Sequence, residues 1–201
     1  MSASQHAANK RLGVKYLPCV SRAFLLRSIM ITGNFYFISD KYYTKFQNCN
    51  LMGNKDTDAN GEHKRPCFYC FTEGDYSWMI PISSQVEKYR ALYNEKMTRF
   101  HGNFDGIRFG FVNGQERAFL IQNVCPVTEE YIDSEYMIEH NTRPVSVDND
   151  LAKELNGIIR KVIRLYKKGT KIVLTDLDTI LSELENERAQ DYMAEVAYAQ
   201  Q

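Results

Sequence analysis

Alternating hydrophobic and aromatic residues in the middle of the chain predict a series of short β-strands. The segment NFYFISDKYY, from Asn34 to Tyr43, has this alternation and the aromatic content typical of strands. The polar segment that follows, NCNLMGNKDTDANGEHKR, holds two glycines and several Asn and Asp residues and predicts a long loop. Further strands are predicted at residues 65–71, 76–82, 107–112 and 116–126. The Asn113–Gly114 pair predicts a hairpin turn between the last two.

One stretch, WMIPISSQVEKYRALY, runs from a predicted strand into a helix whose apolar residues recur every three or four positions. Ser84 followed by Glu87 fits a capping box, in which the serine hydroxyl accepts from a backbone N–H of the first turn. The same helix start has free N–H groups and a positive dipole end, so Ser83, Ser84 and Lys88 could hold a phosphate there. The spacing alone permits both roles of Ser84.

The last third of the chain predicts helices. An apolar stripe from Leu151 to Tyr166 predicts a helix capped by Asp148 or Asn149, and Thr175 predicts the start of another. Strands with hairpin turns, followed by helices and without regular strand–helix alternation, predict an α+β fold. We expect a compact, mainly antiparallel, barrel-like sheet with added helices.

The charge of the whole chain is balanced, with 25 basic and 25 acidic residues. Any anion site must therefore be local. We predict a basic, poorly ordered extension at residues 1–33, a domain at 34–185, and an acidic, then Ala- and Gln-rich tail at 186–201. A basic arm that touches RNA is the alternative for the extension. Its charges interrupt its apolar residues, unlike a signal peptide, and no apolar run in the chain is long enough to predict a membrane span.

The cysteines do not predict a disulfide framework, because their number is five and their spacing is scattered. This favours a reducing compartment, and we expect a cytoplasmic protein. Cys67 and Cys70 have CxxC spacing, but no second cysteine or histidine pair completes a zinc site. Three steps along a strand would place their thiols on opposite faces, so neither a metal site nor a redox site is predicted.

Three polar residues near the predicted strand ends permit two interpretations. Gln122 and Asn123 follow an apolar run, where their amides either satisfy backbone groups or hydrogen-bond a base or phosphate. Arg108, on the neighbouring strand, is either a solvated edge charge or a fork-shaped phosphate ligand.

Five motifs occur in a characteristic order: NFYFISDKY, RPCFYCF, WMIPISSQVEKY, IRFG and FLIQNVCPVTEEYI. In this order they resemble the toxins of type III toxin–antitoxin systems, the family of ToxN and AbiQ, and are most similar to its CptN and TenpN branch. The resemblance covers about residues 34–133 and continues weakly into the predicted helix of residues 151–166. Residues 1–33 and the acidic tail lie outside it.

The resemblance implies a compact barrel related to the Kid and MazF toxins and a sequence-specific endoribonuclease. In this family the 2′-hydroxyl of RNA attacks the adjacent phosphate, giving a 2′,3′-cyclic phosphate and a 5′-hydroxyl without a metal or other cofactor. The implied partners are cellular or phage RNA and a repeat-derived, pseudoknotted antitoxin RNA, which inhibits the toxin and is processed by it. An RNA-bridged protein oligomer is the implied assembly.

The resemblance also assigns residues. Tyr42 matches a tyrosine near the cleaved phosphate, and Ser83 and Ser84 match a hydroxyl pair, of which we expect Ser84 to be needed for turnover. Many relatives have a lysine soon after that pair, where this chain has Gln85. We therefore expect Arg65, ahead of Lys88 and Lys64, to stabilise the phosphoryl charge. Neither His63 nor His101 lies in a matched motif. The remaining expected RNA-binding residues are Lys41, Tyr43, Lys64, Lys88, Arg90, Arg108, Gln122 and Asn123.

Three other classes of protein are compatible with the sequence. One is an RNA-binding or regulatory protein that has kept this fold and lost turnover. Another is a serine hydrolase, although the chain has no GxSxG segment to support it. The third is an interaction protein without catalysis.

Overall fold

The computed structural model describes residues 30–58 and 61–199. The predicted basic extension therefore lies outside the described residues as far as residue 29. The elements follow in chain order: β1 (Phe35–Ile38), α1 (Asp40–Lys45), β2 (Lys55–Asp58), β3 (Gly61–Lys64), β4 (Cys67–Glu73), β5 (Tyr76–Ser83), α2 (Val86–Arg99), β6 (Arg108–Val112), β7 (Gln115–Phe119), β8 (Cys125–Val127), β9 (Ile132–Glu135), β10 (Met137–Ile138), β11 (Arg143–Pro144), α3 (Asn149–Tyr166) and α4 (Leu177–Ala199).

The main sheet of the described chain has seven strands. Six of them follow the order β6-β7-β5-β4-β1-β9, and β8 also pairs with β5. Each of these pairs is antiparallel. The predicted α+β fold with a mainly antiparallel sheet is confirmed. The barrel is not confirmed, because β6 and β9 form two separate ends of the sheet and do not pair with each other in the described residues.

Helices cover both faces of this sheet because its strands alternate apolar side chains between the two faces. On one face, Phe68 and Ile80 pack with residues of α3, including Leu155 and Ile159. On the other face, strand residues pack with α1 and α4 in a cluster that contains Tyr36, Tyr42, Phe46, Cys67, Tyr69, Met79, Ile180 and Leu184. The sheet is thus the middle layer of the core.

The helix α2 packs against the β6–β7 hairpin instead. Its Tyr89 is buried with Ile107, Ala118 and Leu120, and Tyr93 contacts the same cluster. Both tyrosines therefore serve packing between the helix and the hairpin. This third cluster holds the hairpin and α2 together beside the end of β5.

Several predicted elements differ from the observed ones. The aromatic segment after Ile38 is the helix α1, and part of the predicted polar loop is the β2–β3 hairpin. The predicted strand of residues 116–126 is interrupted by a 3-10 turn at Ile121–Asn123. These segments carry strand-like or loop-like composition, but tertiary contacts decide their conformation.

The predicted capping boxes are wrong in detail. The helix α2 begins at Val86, and its preceding residue Gln85 makes no side-chain cap. At α4, the side chain of Asp176, rather than that of Thr175, accepts from the N–H of Thr179. By contrast, the predicted cap at Asp148 is confirmed, because its carboxylate accepts from the N–H groups of Asp150 and Leu151.

The thiols of Cys67 and Cys70 lie in different clusters on opposite faces of the sheet, as predicted. Both are buried and free. Burial raises the pKa of the Cys67 thiol to about 12, so the thiol stays protonated at neutral pH.

Candidate active site

A groove of about 290 Å³ lies where β5 ends. Its walls come from the β2–β3 hairpin on one side and the β6–β7 hairpin on the other. The lining residues are Phe37, Asp56, His63, Lys64, Pro66, Ile82, Ser84, Val112, Asn113, Gln115, Arg117 and Tyr136. This concave surface gathers a carboxylate, a hydroxyl, an imidazole and two basic side chains.

The carboxylate of Asp56, on β2, joins the hairpin to the end of β5. One oxygen accepts from the backbone N–H of Ser84 at 2.7 Å and from its hydroxyl at 3.2 Å. The other accepts from the Ser83 hydroxyl at 3.3 Å and lies 3.3 Å from the Arg65 guanidinium. The side chain is buried, so these donors replace the water that an exposed carboxylate would bind.

The environment of Asp56 keeps its carboxylate charged. Burial alone would raise the pKa of Asp56, but the N–H of Ser84 and the charge of Arg65 outweigh it and hold the pKa below its usual value. Asp56 is therefore an ionised acceptor at neutral pH. Its negative charge sits directly behind the start of α2.

Arg65 lies behind the groove and is only 3% exposed. Its guanidinium donates to the carbonyl oxygens of Gly53 at 2.8 Å, Ile82 at 2.7 Å and Lys55 at 2.7 Å. These bonds tie the segment before β2 to β5. The guanidinium is thus committed to the protein's own carbonyls and to Asp56.

The two serines at the end of β5 have different surroundings. Ser83 is 1% exposed, and its hydroxyl donates to Asp56 and accepts from the N–H of Gln85 at 3.2 Å. Ser84 lines the groove, and its hydroxyl lies 3.2 Å from both Asp56 and the carbonyl oxygen of Thr57. A hydroxyl has one hydrogen, so it serves one acceptor at a time. Ser84 is therefore the serine that a ligand in the groove can contact.

The nitrogen-bearing side chains of the groove come from both walls. His63 pairs across the β2–β3 hairpin with Asp56, so the two side chains share a face. Lys64 donates to Asp133 at 2.8 Å, and that hydrogen bond raises the pKa of Lys64. Arg117 projects from β7 on the opposite wall and donates to Gln115. An anion in the groove would lie between cations on two sides.

The tyrosines of α1 lie away from the groove lining. Tyr42 is 0% exposed, and its hydroxyl donates to the carbonyl oxygen of Pro126 at 2.6 Å. Burial raises the pKa of Tyr42 well above its usual value. Tyr43 is half-buried in the same cluster, with its hydroxyl 4.0 Å from the Cys67 sulfur. The expectation that Tyr42 lies near a cleaved phosphate stays a prediction.

The other expected RNA-binding residues are spread over the surface. Lys41 and Lys88 are exposed, and the Lys88 ammonium lies 5.5 Å from the Tyr89 ring centre. Arg90 donates to Glu116 at 2.7 Å and lies over the ring of Phe109. Arg108 bonds Asp105 and Glu154. Gln122 and Asn123 are buried in the 3-10 turn, at the end of the β6–β7 hairpin opposite the groove.

Sequence reasoning missed Asp56 and Arg117 as site residues and gave His63 no role. Asp56 lies in a polar segment without alternation, and nothing in its neighbours predicts burial. The one available signal was the turn sequence between two short polar runs, which is typical of a hairpin. Arg117 sits in a strand that was predicted, but its position opposite Ser84 depends on the pairing of β7 with β5.

Two further observations concern metal ions and membranes. Among residues 30–58 and 61–199, no group of three or more His, Cys, Asp or Glu side chains is placed to hold a metal ion. No helix in the described part of the chain has the length and apolar character that crossing a membrane requires.

Comparison with models of known protein families found no match, and no curated protein shows significant similarity to the chain.

Proposed function

We propose that this protein is an endoribonuclease that cleaves RNA in the groove. The observation that carries the proposal is the grouping of Ser84, His63, Lys64 and Arg117 around one concave surface. A 2′-hydroxyl attacks the adjacent phosphorus, the bond from phosphorus to the 5′-oxygen breaks, and a 2′,3′-cyclic phosphate and a 5′-hydroxyl result. This reaction needs cations and hydrogen-bond donors at the phosphate and groups that move protons.

Each groove residue has a role in this proposal. Lys64 and Arg117 face the phosphate from opposite walls and stabilise the charge that builds on its oxygens. The Ser84 hydroxyl turns from Asp56 to donate to a phosphate oxygen, while the Ser84 N–H stays on Asp56. His63 takes the proton of the 2′-hydroxyl, and the resulting imidazolium or a water molecule delivers a proton to the departing 5′-oxygen.

Arg65 and Ser83 act in this proposal as positioning residues. Both hydrogen-bond or pair with Asp56, and neither is exposed to a ligand. Their contribution to the reaction is the fixed position of Asp56 and, through it, of Ser84. The sequence led us to expect that Arg65 contacts the phosphate. In this proposal Lys64 and Arg117 make that contact instead.

The order of the sequence motifs further supports a toxin of a type III toxin–antitoxin system. In this proposal the substrate is cellular or phage RNA in the cytoplasm, and the inhibitor is a folded antitoxin RNA that the toxin itself processes. The groove and the basic residues around it would hold the antitoxin as well as the substrate. An assembly of several protein copies bridged by antitoxin RNA follows from the same resemblance.

A second candidate is an RNA-binding protein on this fold that does not cleave. It is favoured by the engagement of the basic groups, since Lys64 pairs with Asp133 and Arg65 with backbone carbonyls. Such a protein would retain the antitoxin RNA without producing new ends.

The test is cleavage of total RNA in EDTA by purified protein freed of its own RNA, with chemical mapping of the new ends. We expect 5′-hydroxyl and 2′,3′-cyclic phosphate ends. Ser84→Ala should slow cleavage by about 10²- to 10³-fold, as the loss of one transition-state donor does. The control is Ser77→Ala, a buried serine on the same strand whose hydroxyl contacts Thr72. No cleavage by folded wild-type protein would leave the binding candidate, whereas equal cleavage rates in all three proteins would remove Ser84 from the mechanism.

A further inference from the structure

A second cavity, of about 500 Å³, lies beyond the groove at the other end of the β6–β7 hairpin. The groove contacts the hairpin at Val112, Asn113, Gln115 and Arg117, whereas the second cavity is lined by Gly106. The two concave surfaces share no lining residue in the described chain. A ligand of the second cavity would therefore contact a set of residues that does not include Ser84. Its volume falls in the range typical of small-molecule sites.

Gln122, a residue of the 3-10 turn, lines this cavity and is 9% exposed. Its backbone is fixed on both sides, because its N–H donates to the Gly106 carbonyl at 2.8 Å and its carbonyl accepts from the Leu174 N–H at 2.7 Å. Its side-chain amide makes no hydrogen bond with another described residue. The amide is not one of the fully buried side-chain groups that lack a partner in the described chain, so solvent reaches it in the cavity. A ligand with a matching edge would replace that water.

A flat aromatic wall stands beside Gln122. The ring of Phe104 lies so close to Gly106 that a Cβ on this glycine would be 2.5 Å from it and 3.3 Å from the Gln122 side chain. The absence of a side chain at Gly106 thus leaves room for the Phe104 ring and for the Cβ of Gln122. Phe100, 44% exposed, stacks with Phe104, and the two rings are 16° from parallel with their centres 6.3 Å apart.

The charges at the cavity are mostly positive. Lys96, Lys161 and Lys171 line it, together with a single acid, Asp105. Asp105 is already paired, since it accepts from Lys161 at 2.5 Å and from Arg108 at 2.6 Å. Lys96 and Lys171 form no ion pair with a described residue, so they remain for an anionic ligand.

We propose that this cavity binds one nucleotide. The heteroaromatic base stacks on Phe104, its edge exchanges hydrogen bonds with the donor and acceptor of the Gln122 amide, and its phosphate lies between Lys96 and Lys171. An apolar acid of similar size would leave the Gln122 amide unpaired. The ligand is either a free mononucleotide or an unpaired nucleotide of a longer RNA, and this site does not depend on cleavage in the groove.

Titration calorimetry tests the proposal with the full chain freed of RNA. The probes are the four 5′-nucleoside monophosphates, their nucleosides, and 2′-O-methyl tetranucleotides, which cannot be cleaved because the 2′-oxygen is blocked. We expect a monophosphate to bind more tightly than its nucleoside. Gln122→Leu should weaken binding by about 5- to 10-fold, as loss of a hydrogen-bonded pair does. Lys96→Ala with Lys171→Ala should remove the difference between monophosphate and nucleoside.

Lys153→Ala is the control, since Lys153 is an exposed lysine of α3 outside the cavity. Gln122→Met serves as a second variant if Gln122→Leu does not fold. Binding by mononucleotides assigns the site to free ligands, and binding by tetranucleotides alone assigns it to RNA. Absence of binding by every probe up to about 10 mM, or equal affinity in wild type and pocket variants, overturns the proposal. Loss of nucleotide binding with unchanged RNA cleavage would separate this site from the groove.

Discussion

Asp56 accepts two hydrogen bonds from Ser84, one from its backbone N–H at 2.7 Å and one from its hydroxyl at 3.2 Å. This contact spans 28 residues of chain and fixes the serine where a strand gives way to a helix. The hydroxyl of Ser84 can leave the carboxylate without releasing the backbone. Different hydrogen bonds therefore fix the backbone of Ser84 and orient its hydroxyl.

Replacing Asp56 tests this arrangement through stability. Asp56→Asn removes the charge that faces the buried Arg65, and we expect the free energy of unfolding to fall by about 2–4 kcal/mol. Because the folded-state pKa of Asp56 is lowered, its contribution is complete above the unfolded pKa of about 3.9 and is lost as the pH falls through the folded value. The variant should therefore lose less stability between pH 7 and pH 3 than wild type. Urea unfolding, followed by fluorescence of the buried Trp78, measures both. An equal loss in acid for both proteins would contradict the role given to Asp56.

The role of His63 predicts a change in rate without a change in fold. His63→Asn should lower the cleavage rate by about a hundredfold or more, which is the usual contribution of a positioned proton-transfer group. The change should also alter the dependence of the rate on pH. His101→Asn is the matched control, because His101 is exposed outside the groove and its positive φ of 50° suits asparagine. Cleavage that is equally fast in both variants would remove His63 from the mechanism.

The two cations of the groove should act through phosphate contacts. Lys64→Ala and Arg117→Ala should each weaken binding of an uncleavable RNA, and the slope of log affinity against log salt should become shallower by about 0.7 per lost contact for a single strand. Filter binding or fluorescence anisotropy over a salt series measures the slope. Lys153→Ala should leave it unchanged, because Lys153 lies outside the groove. An affinity loss with an unchanged slope would mean that the substituted side chain contacts no phosphate.

The Tyr42 hydroxyl has either a structural role or a role at the phosphate, and its removal distinguishes the two. The bond from its hydroxyl to the Pro126 carbonyl is buried, so Tyr42→Phe should lower the free energy of unfolding by about 1–2 kcal/mol. The cleavage rate of the folded variant should stay within about twofold of wild type, since a structural hydroxyl makes no transition-state contact. Tyr131→Phe is a comparison, because its hydroxyl bonds Glu187 in the same cluster. A rate loss of a hundredfold with little loss of stability would instead support the tyrosine at the phosphate that the family resemblance implies.

The parts of the fold that the sequence predicts are those in which local pattern and tertiary contacts agree. The strands β4 and β5 are short, mostly apolar and aromatic runs that are buried on both faces, and the helix α3 has a continuous apolar stripe with a capping Asp148. The β2–β3 hairpin has neither signal, because its residues are polar and its position depends on the single buried carboxylate of Asp56. The helix α1 was not predicted, because its aromatic residues continue the strand pattern of the segment before it.

The candidate site was predictable only in part, for a related reason. Ser84 was expected from the local sequence and from the family resemblance, Lys64 was expected from the resemblance alone, and both line the groove. Arg117 could not be placed there without knowledge that β7 pairs with β5, which is a contact between distant segments. The burial of Arg65 likewise depends on three carbonyls from two separate segments. Spacing along the chain carries no information about such contacts.

The β6–β7 hairpin joins β5 through the pairs Ile82 with Phe119 and Ser83 with Ala118 in the described residues. Its far tip, at Asn113 and Gly114, projects beside the groove and shares no bond with Asp56. A longer or shorter tip would alter the reach of that wall and leave the serine and its carboxylate untouched. If the groove cleaves RNA as proposed, the choice of RNA can therefore diverge through one surface turn while the groups at Ser84 stay constant.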